Sequence, residues 1–319
     1  YKDIKGGTVQ NFAGDPPAPI AGQVWYDSTA TAFQYRSSNP TGAWATGDAL
    51  NTGRYGAGGT GTQTSAIAFG GRISPPNAIQ DVAETYNGSA WTEVADLNTS
   101  RYIMGSTSTG SATAALAFGG SGPTADTEIW DGSSWTEVGN LNTARQQIAG
   151  CGTTTAALAV NGSSNATESY NGTSWTELAD INTERLAGIA LGTVPSAILA
   201  GGEQPGAPYA IYANTESWNG SSWTEVGDLN SAGHSAGGAG SVTSGMIFGG
   251  NRPGRVAITE KWNGTGWTEV ADLNVAVAYP AGVGTTAAGL SFGGDLGPAS
   301  TGNSEKWNEP TETSETITD

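Results

Sequence analysis

Tyr170-Asn171-Gly172-Thr173-Ser174-Trp175-Thr176-Glu177 is one instance of a phrase that runs through most of the chain: an aromatic residue, Asn-Gly or Asp-Gly, two further residues, then Trp-Thr-Glu. The phrase returns at Tyr86 to Trp91, Trp130 to Trp135, Trp218 to Trp223 and Trp262 to Trp267. Trp91, Trp135, Trp175, Trp223 and Trp267 are therefore spaced by 44, 40, 48 and 44 residues. Asn-Gly and Asp-Gly supply the positive φ values of a tight turn, so the strand ending in the aromatic and the strand opening at Trp are predicted to form a hairpin.

Upstream of each hairpin lies a seven-residue run that closes on Gly-Gly or a near equivalent. The runs are Ser65 to Gly71, Ala114 to Gly120, Ala156 to Gly162, Ser196 to Gly202, Ser244 to Gly250 and Ala288 to Gly294. Before each run comes a stretch rich in Gly and Ala, such as Tyr55 to Thr60 or Ala187 to Leu191, as expected of strands crowded round an axis. A period of roughly 40 to 50 residues carrying Gly and aromatic signals marks propeller blades. The expected fold is all-β, a six-bladed β-propeller with four strands to a blade.

The spacing also predicts where such a ring closes. From the fourth-strand Trp to the last Gly of the next run is 27 residues for Trp44 to Gly71, Trp135 to Gly162, Trp175 to Gly202, Trp223 to Gly250 and Trp267 to Gly294, and 29 for Trp91 to Gly120. Trp44 thus has fourth-strand register, yet Asn39 stands where its partner aromatic belongs. Trp307 has third-strand register, but Glu312 stands where its Trp belongs. Each end lacks what the other has, so the N-terminal strand at Trp44 is predicted to pair with the C-terminal blade and remove two exposed edges. The predicted organisation is an N-terminal segment with a β-hairpin at 1–43, the propeller at 44–309 and an acidic flexible tail at 310–319.

Composition narrows the function. A net charge of −17 and a pI near 4.2 argue against a nucleic-acid or anionic-membrane partner, since phosphate binding needs clustered Lys and Arg. No apolar run approaches the ~20 residues that span a bilayer. Cys151 is the single cysteine and is expected to be a small buried filler. His234 is the single histidine, leaving no material for a His-based metal site or a Ser-His-Asp triad, and no cofactor is expected. Glu84, Glu128, Glu168, Glu216, Glu260 and Glu305 each stand two residues before the third-strand aromatic. They are expected to pair with Arg54, Arg101, Arg145 and Arg185, while Gly233 and Val277 break the arginine series in units five and six.

The Gly-Gly end of the second strand, the third-strand aromatic, the Trp opening the fourth strand and the Arg after Asn-Thr resemble kelch repeats over about residues 44 to 309. Leu141-Asn142-Thr143-Ala144-Arg145 and Phe118-Gly119-Gly120 are similar to phrases in kelch-like proteins of marine bacteriophages. Gly22-Gln23-Val24-Trp25-Tyr26-Asp27 with Phe33-Gln34-Tyr35 resembles hairpin modules of phage tail fibres. The resemblance implies a virion surface protein whose N-terminal segment docks on other virion proteins and whose propeller attaches to a host surface glycan. The alternative is a structural decoration or spacer of head or tail with no host ligand. Kelch-type copper oxidases need paired His and Tyr ligands, which this chain lacks, and it is not expected to be an enzyme.

A binding site on such a scaffold is expected where the repeats differ. The interval from Gly-Gly to the next Trp is 20, 15, 13, 21 and 17 residues in units one to five, so the second-to-third-strand loops vary most. They carry Arg72, Tyr209, Tyr212, Arg252 and Arg255, the candidate ligand-binding residues. Tyr gives a large contact area at low entropic cost, and an Arg on an acidic surface can hold an anionic or polar partner.

Overall fold

A computed structural model of the protein describes residues 9–17, 23–38, 42–206, 210–309 and 312–317. These residues are all-β, with no helix among them, and the architecture is β-propeller-like. They divide into two units, residues 43–308 and residues 1–42 together with 309–319.

The larger unit contains six four-stranded antiparallel sheets. Sheet 1 runs from Gly58–Thr62 to Trp91–Val94, sheet 2 from Gly105–Ser106 to Trp135–Glu137, and sheet 3 from Ala149–Thr153 to Trp175–Glu177. Sheet 4 runs from Ile189–Thr193 to Trp223–Glu225 and sheet 5 from Gly237–Gly240 to Trp267–Val270. Sheet 6 is built from Ala281–Gly284, Ala288–Phe292 and Ser304–Asn308, and its fourth strand is Ala43–Thr46, with Trp44 opposite Trp307. Trp175 faces Tyr170 in the same way within sheet 3.

The turn between third and fourth strands differs from a two-residue hairpin. Four residues, 171–174, separate the Tyr170 and Trp175 pair, and the Asn171 side chain accepts from the amides of Thr173 and Ser174 and from the Thr173 hydroxyl. Gly172 has φ +95, so glycine is needed there, while Asn171 acts through its carboxamide. The Asn-Gly-Ser/Thr phrase is thereby explained as turn chemistry.

Strand pairing also explains the inner-strand composition. Gly105 lies opposite Phe118, and a Cβ on it would come within 2.2 Å of that ring. Sheets 1 and 5 repeat this with Gly58 opposite Phe69 and Gly237 opposite Phe248, whereas sheet 3 sets Ala149 opposite Val160 and sheet 4 sets Ile189 opposite Ala200. A smaller second-strand residue thus goes with a larger inner-strand one, while sheet 6 sets Ala281 opposite Phe292.

Six apolar clusters fill the spaces between sheets. One joins Ile67 and Phe69 of sheet 1 to Trp130 and Trp135 of sheet 2, and another joins Leu290 and Phe292 of sheet 6 to Tyr86 and Trp91 of sheet 1. Fourth-strand indoles also hydrogen-bond backwards: Trp175 donates to Thr127, Trp223 to Thr167, Trp267 to Thr215 and Trp44 to Thr259, each at 3.0 to 3.1 Å. Trp135 has no such partner, because Ala83 occupies the position that Thr holds in sheets 2 to 5, while Trp91 donates to the Asp48 carbonyl. Cys151 is fully buried in the sheet 3 and 4 cluster, and burial pushes its thiol up to about 12, so it is inert at neutral pH.

The smaller unit is a four-stranded sheet of Gln10–Phe12, Val24–Asp27, Ala32–Ser38 and Glu312–Thr316. The second and third strands form the hairpin expected at Trp25 and Phe33. Residues 312–316, expected to belong to a flexible tail, instead pair antiparallel with 34–38. This segment is rich in Thr, a strand-favouring residue, and covers what would otherwise be a free edge.

Candidate functional site

The repeated polar residues form a buried lattice. Arg54 bonds Glu84 at 2.6 Å and Arg145 bonds Glu168 at 2.9 Å, and Arg101 with Glu128 and Arg185 with Glu216 repeat the pair, all with side chains no more than 2% exposed. The second oxygen of each carboxylate accepts from an Asn of the inter-sheet linker. Asn142, for example, donates to Glu168 from its amide at 2.7 Å and its side chain at 2.8 Å, and also to the Trp175 carbonyl at 3.2 Å. The same bonds recur at Asn51, Asn98, Asn182, Asn230 and Asn274. These groups hold the linker across the third and fourth strands, and in sheets 1 to 5 the carboxylates are taken up by Arg and Asn.

The four candidate residues that the structure describes are not brought together. Tyr209 lies outside the described residues. Tyr212 is half-buried and close enough to the Arg185 guanidinium to influence it. The Arg252 side chain, 5% exposed, bonds Glu260 at 2.8 Å and fills the space left by Gly233, whose added Cβ would meet it at 2.7 Å. It therefore replaces the arginine missing from unit five. Arg255 bonds Asp295 at 2.7 Å, tying the loop of sheet 5 to that of sheet 6. Arg72 alone stands among other unrepeated groups: its guanidinium lies 5.2 Å from the centre of the Tyr102 ring and donates to the Tyr102 hydroxyl at 3.1 Å.

Tyr102 is followed by Ile103, which with Gln147, Ala187, Ser235, Tyr279 and Gly56 lines a cavity, or mouth, of about 120 Å³. All six come from the equivalent position, two residues after the arginine register, and their backbones are hydrogen-bonded in a cycle. Ile103 donates to Gly56, Gln147 to Ile103, Ala187 to Gln147, Ser235 to Ala187, Tyr279 to Ser235 and Gly56 to Tyr279, at 2.7 to 3.0 Å. Tyr55 lies 6.0 Å from Tyr102 and 5.9 Å from Tyr279, ring centre to ring centre, so the three rings pack in series. Gln147 donates to Glu203 at 3.1 Å, and His234 Nδ1 lies 2.9 Å from Ser235 Oγ and 3.4 Å from Glu203. Burial lowers the His234 pKa and Glu203 opposes that shift, so burial favours neutral imidazole.

Behind the mouth a second cavity of about 130 Å³ follows the inner strands, and a third of about 410 Å³ opens among Thr62, Ser108, Thr109, Ser241 and Thr286 at the opposite face. Among the described residues no three His, Cys, Asp or Glu side chains are grouped so as to hold a metal ion. The Tyr279 ring, the Gln147 carboxamide and the Ser235 hydroxyl at one cavity, with Tyr55 packed on Tyr279 and Glu203 bonded to Gln147, can bind a polar ligand with apolar faces. The loop lengths draw attention away from these residues. The signal that finds them is the pair of positions after the arginine register, Tyr55-Gly56, Tyr102-Ile103, Gln146-Gln147, Leu186-Ala187, His234-Ser235 and Ala278-Tyr279, which differ in every unit. No protein-family model and no curated protein sequence matches the chain.

Proposed function

We propose that residues 43–308 are a closed, six-bladed propeller of kelch type that serves as a non-catalytic binding module on a bacteriophage virion. Six blades and closure are supported by the hydrogen-bond cycle through Gly56 and Tyr279, by Trp91 packing on Phe292 at 5.0 Å, and by the pairing of Ala43–Thr46 with Ser304–Asn308. The virion setting follows from the kelch-like and fibre-like phrases. In that setting the smaller unit docks on other virion proteins, and Phe33 and Ile317, both exposed, offer it an apolar contact.

The observation that carries the binding role is the division of labour between repeated and unrepeated side chains. Repeated polar groups are buried in the blade lattice, while Gln147, Ser235 and Tyr279 line one cavity, with Tyr55 packed on Tyr279, Tyr102 on Tyr55, Arg72 on Tyr102, and Glu203 bonded to Gln147. A host surface glycan suits this chemistry, because sugar rings present apolar faces to Tyr and hydroxyls to Gln, Glu and Arg. Glycan-array screening of the whole chain, followed by Tyr102→Ala and Tyr279→Ala in any positive pair, tests it. Binding lost in both variants at unchanged melting temperature supports the site; a blank array together with no adsorption to host envelopes leaves the spacer role standing instead.

A further inference from the structure

In sheet 2 the guanidinium of Arg101 is held by the carbonyls of Thr99, Gly119 and Asp126 and by Glu128, and in sheet 4 Arg185 is held by Thr183, Gly201, Asn214 and Glu216. In sheet 5, where the linker has Gly233, an arginine is brought in from a loop to meet the carboxylate. Sheet 6 has the same acceptors, Val275, Gly293, Asn303 and Glu305, but the arginine position is Val277. Glu305 is 7% exposed, and its contacts are the amides of Asn274 and Val275 and the Asn274 side chain, with no cation bonded to it among the described residues. Lys306, its neighbour, points away to the Gly88 carbonyl and the Tyr86 ring.

Where the guanidinium would lie there is a cavity of about 10 Å³, lined by Val275, Gly293, Asn303, Glu305, Ser291 and Thr301, while Val277 and Leu296 take the room of the arginine stem. A buried carboxylate without a counter-charge is costly, and five of the six sheets meet that cost with a cation. We propose that the sixth binds a monovalent alkali cation, Na⁺ or K⁺, coordinated by the Glu305 carboxylate, the carbonyls of Val275, Gly293 and Asn303 and the hydroxyls around them. One carboxylate among neutral oxygens balances a single positive charge, whereas Ca²⁺ takes six to eight oxygens with more anionic ligands. The space fits one small sphere, near the lower limit for a water.

The test is thermal unfolding of the whole chain in NaCl, KCl and choline chloride at equal ionic strength, since choline is far too large for the cavity. Na⁺ or K⁺ is expected to raise the midpoint over choline by about 3 °C or more at ten times its dissociation constant, with saturation. In Glu305→Gln that difference disappears. Val277→Arg tests the same point by supplying the charge covalently, and Glu305→Gln, which is nearly isosteric, serves alone if the larger side chain does not fold. Equal midpoints of the parent protein in all three salts overturn the proposal, as does a cation effect that survives in Glu305→Gln. So does stabilisation by Ca²⁺ alone.

Discussion

Moving one arginine between two positions of sheet 5 tests the logic of the lattice directly. Arg252→Ala leaves Glu260, whose side chain is fully buried, with Asn230 and Ser231 but no cation. Breaking a buried pair from one side costs about 3 to 5 kcal/mol. Gly233→Arg alone sets a second arginine against the first, because its Cβ would lie 2.7 Å from Arg252 Nε and 2.9 Å from Cγ. Overpacking of that kind costs about 1 to 3 kcal/mol. The double variant should be within about 1 kcal/mol of the parent: the new arginine enters from the linker as Arg101 does in sheet 2, and Gly233 has no left-handed φ to forbid it. At about 2 to 4 °C per kcal/mol for a domain of this size, Arg252→Ala should lose about 10 °C and the double variant should recover nearly all of it. Chemical denaturation followed by tryptophan fluorescence gives the four free energies. A double variant as unstable as the sum of the singles would refute the exchange.

Three further outcomes are expected. Ala83→Thr should raise stability by about 1 kcal/mol by giving the buried Trp135 indole the Thr hydroxyl that Trp175, Trp223, Trp267 and Trp44 have, and a loss in the melting temperature would show the site to be differently packed. Deleting residues 1–46 removes Trp44, which packs on Phe248 at 4.8 Å and Trp307 at 5.6 Å. That chain should aggregate or melt far lower, and an unchanged midpoint would sink the closure proposal. His234, the only histidine, has a pKa lowered by burial from 6.5, so the unfolded state binds the proton more tightly. Its contribution should be complete above the unfolded pKa and fall as pH drops from about 6.5 towards the folded value, and a His234→Gln variant should flatten that part of the stability profile.

The hairpins and the pairing of Trp44 with Trp307 were legible because the interval from Trp to Gly-Gly is 27 residues in five units and 29 in the other, so a missing partner at one end is visible as a register defect. The Glu and Arg pairs were legible because they recur together. The replacement of Arg at Gly233 by Arg252 was not, since the substitute comes from a loop whose path no local pattern encodes, and Arg252 looked like a free cation. Glu312–Thr316 looked like a tail because its partner strand, Ala32–Ser38, is about 280 residues away in sequence. The mouth was hidden for another reason. Its lining residues, Ile103, Gln147, Ala187, Ser235 and Tyr279, lie between the linker Asn and the inner strand, where the length hardly varies, so loop length carries no mark of them.

Backbone conformation gives an independent argument that the side chains at the mouth have a use. Gly56 and its five counterparts all have positive φ: Ile103 at 50°, Gln147 at 53°, Ala187 at 51°, Ser235 at 56° and Tyr279 at 55°. For residues other than glycine the left-handed region costs about 1 to 2 kcal/mol, and for β-branched Ile it is a rare conformation. The hydrogen-bond cycle imposes this geometry on all six positions, and only one uses the residue that adopts it freely. Such strain, when it clusters at one cavity, points to function. Ala187→Gly, which removes little side chain, should stabilise the protein by about 0.5 kcal/mol, the relief of strain less the entropy that glycine gains on unfolding. Gln147→Gly and Ser235→Gly should remain folded with midpoints near that of the parent, yet lose most of their affinity for whatever ligand the parent retains. If all three glycine variants are at least as stable as the parent and bind the ligand equally well, the side chains at the mouth are idle and the site lies elsewhere.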